Sequence, residues 1–250
     1  MERGAVLGRL SWQPAEVVEV VAETARVRSL AFRVPTWPGH RPGQHVDIRL
    51  TAEDGYQTQR SYSIASAPED SRVAISVEKI EDGEVSPYLV DEVRVGDRLE
   101  IRGPIGGYFT WTAADGGPLL LVGGGSGIVP LMAMLRHRAL SAVTVPVCLL
   151  YSSRTYDDII YRAELDRIAR ADESSRIVHT LTRSQPGGWT GYRRRVDREM
   201  LAEVAPPAQD NPLAFICGPT RLVEGAAEIL TGLGYAAPRI KTERFGPTGG

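Results

Sequence analysis

The amino-acid sequence predicts a two-domain chain: an antiparallel β-barrel followed by an α/β domain built on a parallel sheet. Three observations carry this expectation. The length of 250 residues suits one large domain or two small ones. The first part holds short β-branched or alternating segments split by glycine, proline and aspartate, with little helical periodicity. Such spacing is typical of closed antiparallel barrels. The second part alternates strand-like with helix-like segments, which implies parallel strands with helices on both faces.

Strands are expected at Val17–Val21, Val27–Val34, His45–Leu50, Arg60–Ile64, Val73–Val77 and Arg98–Arg102. Turn chemistry at Pro38-Gly39, Arg41-Pro42-Gly43 and Asp54-Gly55 separates several of them. Within this half only Pro87–Val90 reads as a brief helix. The turn-rich stretch Thr112–Gly117 marks the boundary, giving domains of residues 1–114 and 115–250. Beyond it comes the apolar strand Leu119–Val122, a glycine loop and a helix from about Val129 to Leu140. A strand at Val145–Tyr151 precedes a helix at Ile159–Ala169, whose Ile160, Leu165 and Ile168 are spaced for one face. Strand Ile177–Leu181, helix Arg198–Val204, strand Leu213–Cys217, helix Leu222–Leu233 and strand Ile240–Glu243 complete the order. In such sheets ligands bind beyond the carboxyl ends of the strands.

Composition removes several classes of function. With 42% hydrophobic and 24% charged residues the chain is an ordinary globular protein. The apolar runs Leu119–Val122 and Ile128–Leu135 are too short to span a bilayer, so no membrane insertion is expected. Glu2, Arg3 and Gln13-Pro14 leave no apolar signal core, and a cytoplasmic location is the expectation. Two cysteines, Cys148 and Cys217, cannot supply an iron–sulfur cluster or a structural zinc, so no metal is expected. A net charge of −2 offers nothing to nucleic acid. All basic residues except Lys79 and Lys241 are arginine. A GC-rich genome accounts for most of that surplus, yet arginine is also the better fork for phosphates.

Gly123-Gly124-Gly125-Ser126-Gly127-Ile128-Val129-Pro130 follows a strand and opens a helix. Its glycines admit an anion to the backbone, and the first helical N–H groups point at it. Pro130 suits an early helical position. Ile128 departs from the dinucleotide fingerprint, and no lysine of an ATP-binding loop is present. Taken alone, the loop reads as a phosphate seat or as a tight turn.

Further stretches accompany it: Arg60-Ser61-Tyr62-Ser63, Gly83-Glu84-Val85-Ser86, Ser152-Ser153-Arg154-Thr155, Phe215-Ile216-Cys217-Gly218-Pro219-Thr220 and Glu243-Arg244-Phe245-Gly246. In this order, from about Val17 to Gly246, they resemble the ferredoxin–NADP reductase family of flavoenzymes. The resemblance implies FAD in the barrel half. Arg60 would pair with the pyrophosphate, Tyr62 would lie against the isoalloxazine ring, and Ser63 would offer its hydroxyl to flavin N5. Ser61, Val77, Gly83, Val85, Ser86 and Phe245 join this FAD set, with Val85 and Ser86 giving N–H groups and Ser86 its hydroxyl to the pyrophosphate. A plain N-cap by Ser86 is the alternative for that residue.

The resemblance also implies NAD(P)H on the second half. Gly124, Gly125, Ser126 and Gly127 would receive its pyrophosphate, with Ser126 where relatives more often have threonine. Ser153 and Arg154 match the contacts to the adenosine ribose, and a Ser–Arg pair favours NADPH over NADH. Arg162 and Arg193-Arg194-Arg195 could add charge, although solvated surface is the simpler reading. Cys217, with Gly218 and Pro219, would approach the nicotinamide. Together with Ser63 and Glu243 it would orient the rings for hydride transfer, none of the three acting as a nucleophile. Cys148 reads as a small buried hydrophobe.

Departures from the family sharpen the expectation. Phe245 stands where plant-type members end on tyrosine, and the chain continues through Gly246 to Gly250. Without cysteines for a cluster, electrons would leave for a separate ferredoxin or oxygenase component. A diaphorase-like reductase of free flavin or quinone is the competing enzyme, and a non-catalytic partner-binding module the third reading. The Gly83–Ser86 segment favours FAD over FMN.

Overall fold

The computed structural model describes residues 10–141 and 145–245. Its first sheet has six antiparallel strands: β1 (Gln13–Ala22), β2 (Val27–Arg33), β3 (His45–Thr51), β4 (Gln57–Ser63), β5 (Val73–Glu78) and β6 (Arg98–Ile105). They run in the order β4-β3-β6-β1-β2-β5, and an Ile64–Ile75 bridge brings the two outer strands together. Alternation decides the facing: Ala15 and Val17 of β1, Leu30 and Phe32 of β2, and Ile75 and Val77 of β5 fill the barrel core. The brief helix expected at Pro87–Val90 is instead a single π-helical turn, Tyr88–Glu92, that buries Leu89 and Val90.

The second sheet is parallel, in the order β11-β10-β7-β8-β9. Its strands are β7 (Leu119–Gly124), β8 (Val147–Ser153), β9 (Ser175–Leu181), β10 (Leu213–Pro219) and β11 (Ile240–Phe245). β7 and β8 are buried along their whole length, as strands covered on both faces must be. Helices α1 (Ile128–Leu140) and α2 (Arg162–Ala171) cover one face, and α3 (Arg198–Val204) and α4 (Thr220–Gly232) the other. Asp197 caps α3 by accepting the Met200 N–H at 2.8 Å.

One boundary differs from expectation for a visible reason. The helix expected from Ile159 begins only at Arg162, because Tyr161 takes a left-handed conformation (φ 58°). Its N–H is spent on Glu23 Oε2 at 3.3 Å and its hydroxyl meets Ser76. Both partners belong to the barrel half, so a tertiary anchor overrides the helical periodicity.

The halves share one core. Val27, Ala65, Phe109 and Trp111 pack with the α1 face of the parallel sheet, and Phe109 meets Phe215 edge-on at 5.2 Å. At the far end of α1, buried Arg138 binds Asp172 Oδ2 at 2.6 Å and Ser175 Oγ at 3.0 Å, and donates to the Val145 carbonyl. Ser174, Arg138 and Ser175 together hold the Asp172 carboxyl well below the usual range. Arg138→Ala is expected to cost roughly 2–4 kcal/mol near pH 7 by denaturant unfolding. A depressed carboxylate adds stability above its unfolded value and loses it on protonation, so that deficit should shrink as the pH falls below 4. A pH-independent deficit would contradict the ion-pair account.

Candidate functional site

On the barrel, β4 presents Arg60, Ser61, Tyr62 and Ser63 with different surroundings. Arg60 is exposed and its Nη2 meets Glu84 Oε2 at 3.3 Å. Glu84 also accepts from Thr58 Oγ1 at 3.1 Å and Tyr56 Oη at 3.3 Å. The pair therefore brings the Gly83–Ser86 loop against Arg60, as two segments serving one anion require. Exposed ion pairs are weak, so the guanidinium is free to exchange partners. Ser61 is committed elsewhere: its hydroxyl donates to Asp47 Oδ1 at 2.6 Å, while Arg102 holds Oδ2 at 2.6 Å. Tyr62 lies partly buried against the barrel core, and burial pushes its phenol up.

Ser63 is 6% exposed, and its Oγ is buried without any hydrogen-bond partner. A buried hydroxyl left open costs stability unless something meets it. Ser86 is buried too, and its Oγ accepts the Ile80 N–H at 3.0 Å while its own proton stays available. It does not cap the following turn, whose cap position is Pro87. Two of the expected FAD residues turn inward instead. Val77 and Val85 are fully enclosed in the barrel core, so only their backbone remains for a ligand. A Cβ at Gly83 would stand 3.0 Å from Ser86 Oγ and from the Ile80 carbonyl oxygen, so the loop is tight.

In the parallel sheet, register aligns one row across all five strands: Glu243, Cys217, Gly123, Tyr151 and His179. The next row carries Arg244, Gly218, Gly124, Ser152 and Thr180. Gly125–Gly127 forms a tight turn into α1 that lies against β5 of the barrel and against β10. The nesting demands glycine. A Cβ on Gly127 would drive into the Cys217 carbonyl, and one on Gly218 would stand 3.0 Å from the Gly124 carbonyl oxygen. Gly125, at φ 56°, faces open space, with Ser126 beside it partly exposed. Tyr151, expected from the sequence only as the end of a strand, steadies the turn by donating its hydroxyl to the Gly125 carbonyl at 3.0 Å.

Cys217 is fully buried, and burial with Glu243 beside it pushes its thiol well up. A neutral thiol there is a spacer, not a nucleophile. Burial pushes Glu243 up to about 7. Phe245 rests on the shared core and is the last described residue; Gly246 and the tail to Gly250 lie outside the described residues. Pro219 is exposed where β10 leaves the sheet. Cys148 is enclosed in the α3–α4 core with its thiol pushed up to about 11.

Ser153 ends β8 buried with an unpartnered Oγ, and Arg154 beside it is exposed. Among the described residues Arg154 makes no ion pair, whereas the other candidate arginines are mostly engaged. Arg162 stacks on Tyr156 at 4.3 Å, Arg194 binds Asp197 at 2.5 Å, and Arg193 donates to the Trp189 carbonyl at 2.8 Å. The open hydroxyls of Ser63 and Ser153, the exposed Arg60 earlier on β4, the exposed Arg154 next to Ser153 and the glycine turn make a donor set that fits two phosphate-bearing nucleotides. Among these residues no helix is long and apolar enough to cross a membrane.

Comparison with known proteins assigns each half to an oxidoreductase domain family. The oxidoreductase FAD-binding domain family matches residues 14–110, and the oxidoreductase NAD-binding domain family matches residues 121–228. Ferredoxin–NADP reductase B of Sorangium cellulosum is 36% identical over 209 residues, 81% of this chain and 84% of that protein. The glycine betaine monooxygenase reductase subunit of Pseudomonas aeruginosa is 33% identical over 235 residues, 92% of this chain. This chain spans 63% of the length of that relative. The flavohem-like FAD/NAD binding domain of nitric oxide dioxygenase from Vibrio cholerae superposes with a TM-score of 0.82 at 26% identity, covering 94% of this chain and 99% of that one.

The raised Glu243 carboxyl gives a signed test. A group protonated more readily when folded contributes stability that is full below its unfolded value of 4.5 and lost as pH rises through about 7. Glu243→Gln should therefore stabilise the nucleotide-free chain by up to about 3 kcal/mol at pH 8. At pH 4 the gain should vanish. Urea unfolding of both proteins at the two pH values reads the difference directly, and parallel pH profiles would sink the assignment.

Proposed function

This chain belongs to the ferredoxin–NADP reductase-like family of oxidoreductases, and on that premise we propose that it is an FAD-dependent NADPH reductase serving a separate ferredoxin or oxygenase component. The FAD would sit on residues 1–114 and NADPH on residues 115–250. FAD supplies the conversion of a two-electron hydride donor into a one-electron supply. Everything else falls to the protein's own side chains. Arg60 and the Gly83–Ser86 loop hold the flavin pyrophosphate, Tyr62 backs the ring, and Ser63 gives its hydroxyl to N5. Gly124–Gly127 takes the coenzyme pyrophosphate at the start of α1. Cys217, Gly218 and Glu243 shape the nicotinamide slot, and Phe245 flanks it.

The observation that carries this reading is the buried, unpartnered Ser63 hydroxyl at the end of β4. It needs an acceptor or donor from outside the protein, and the flavin ring edge provides one. The reading of NADPH rests on Ser153 and Arg154: an open hydroxyl and an unpaired guanidinium at the strand end where an NADH site would present an acid. The named relatives from Sorangium and Pseudomonas work as a ferredoxin–NADP reductase and as a monooxygenase reductase subunit. Their names support a protein acceptor.

Anaerobic NADPH should bleach the flavin absorbance of the purified holoprotein within seconds; an unchanged spectrum would end the proposal. Arg154→Ala should raise the KM for NADPH about tenfold, the loss of one charge-assisted contact, and leave that for NADH within twofold. Equal effects on both coenzymes would remove Arg154 from the 2′-phosphate.

A further inference from the structure

Arg136 lies on α1, nine residues beyond Gly127, and was not singled out by the sequence. Its guanidinium does three things at once. Nη1 donates to the Ala65 carbonyl at 2.8 Å. Nε and Nη2 fork onto Glu164 of α2 at 2.9 and 2.6 Å. Its plane also covers the Tyr161 ring at 5.0 Å. Ala65 stands two residues after Ser63, and its own N–H is held by the Ala74 carbonyl at 2.7 Å. α1, in turn, begins at the turn Gly125–Gly127. One side chain therefore connects the strand end that carries Ser63 to the helix that carries the phosphate turn.

The surroundings make this connection stiff. Tyr161 is buried, its hydroxyl meets Ser76, and Ser76 shares a 2.7 Å hydrogen bond with Ser29. Ser29 donates to Glu23 at 2.7 Å, and Glu23 takes the Tyr161 N–H. The Tyr161 carbonyl then starts α2 by accepting from Glu164 and Leu165 at 2.9 Å each. The planar fork on Glu164 fixes the guanidinium in two directions, which an ammonium cannot do. Side-chain exposures of 24% for Arg136 and 26% for Glu164 place the pair beyond free exchange with solvent.

We propose that Arg136 is a positioning residue that sets the distance and tilt between the flavin seat at Ser63 and the nicotinamide seat at Cys217. It touches neither seat. The inference rests on the reading of FAD and NADPH given above. Hydride transfer depends on ring separation, and a misplacement of about 1 Å can cost on the order of a hundredfold. Loss of Arg136 should thus act on the step between the rings and spare the binding of each nucleotide.

The test compares Arg136→Gln and Arg136→Lys with the parent holoprotein. In Arg136→Gln the rate of flavin reduction at saturating NADPH should fall at least about tenfold. The FAD Kd, read by flavin fluorescence, and the KM for NADPH should stay within twofold. The long-wavelength charge-transfer absorbance on adding NADP+ to the anaerobically reduced holoprotein should fall in parallel, and Arg136→Lys should recover part of both. A merely structural role predicts lower thermal stability and flavin retention with an unchanged rate per bound flavin, and that result overturns the proposal. Should Arg136→Gln fail to fold, Glu164→Gln loosens the same fork and should shift rate and absorbance in the same direction; no shift overturns it. Amide hydrogen exchange of the flavin-free chain adds a readout independent of both nucleotides: Arg136→Gln should speed exchange at the Ala65 N–H and in the first turn of α2, the segments that the fork and the Ala65 contact hold. Unchanged exchange at both overturns the inference. If NADPH fails to bleach the parent, the functional reading falls, and hydrogen exchange alone then decides whether Arg136 pins the halves.

Discussion

The burial of α1 on every side is the constraint from which the rest of the arrangement follows. Every residue from Ile128 to Leu135 is buried, and a helix apolar all round needs cover all round. The sheet supplies one wall through β7 and β10, and the barrel supplies another through Val27, Ala65 and Trp111. Because the helix is shared, the barrel cannot move away without exposing it. Its N-terminal turn Gly125–Gly127 is thereby fixed between β5 of the barrel and β10 of the sheet. At its other end the polar run Arg136-His137-Arg138 reaches three separate carboxylates: Glu164 on α2, Glu69 on the barrel half at 2.7 Å, and Asp172 before β9.

Close approach of backbone is the second requirement, and it explains why glycine recurs where it does. Gly124 and Gly127 press against Gly218 and the Cys217 carbonyl. A side chain at Gly127 would push β10 away from α1, and one at Gly124 would run into Pro219 of β10 and Leu222 of α4. Gly125 differs: it meets nothing, and its positive φ turns the chain instead. The same run thus holds glycines kept for packing and one kept for conformation. This division is invisible in the sequence, where the four look alike.

Much of the architecture is legible in the sequence because local chemistry and burial agree. The apolar run Leu119–Val122 followed by glycines must be a covered parallel strand, and the alternation in Val73–Val77 must be a barrel wall. Legibility fails where distant parts decide. Ile159 and Ile160 continue a helical stripe, yet Tyr161 is held left-handed by Glu23 and Ser76, which lie far off in the chain. Val77 and Val85 sit beside the FAD segments in the sequence, but the barrel interior claims their side chains. Tyr151 looks like an ordinary strand aromatic until register places it in line with Cys217 and Glu243. Arg136 hides in a chain whose basic residues are nearly all arginine, so its residue type says nothing. The one signal available is its position, directly after eight apolar residues on the helix opened by the glycine turn.

The residues proposed for the flavin and nicotinamide seats share a feature that bears on the chemistry they can support. Ser63 is neutral, the Cys217 thiol is kept neutral by burial, and the same cause pushes the Glu243 carboxyl up to about 7. The fixed charges of the proposed site are on Arg60 and Arg154, both exposed. A site meant to activate a nucleophile would invert this pattern, with a charged partner next to the thiol. Neutral groups together with exposed arginines suit the proposed pair of flat, weakly charged rings and their phosphates. On the proposed function the protein's contribution there is chiefly orientation. Orientation is a property of the whole interface between barrel and sheet, which returns the argument to α1 and the side chains that pin it.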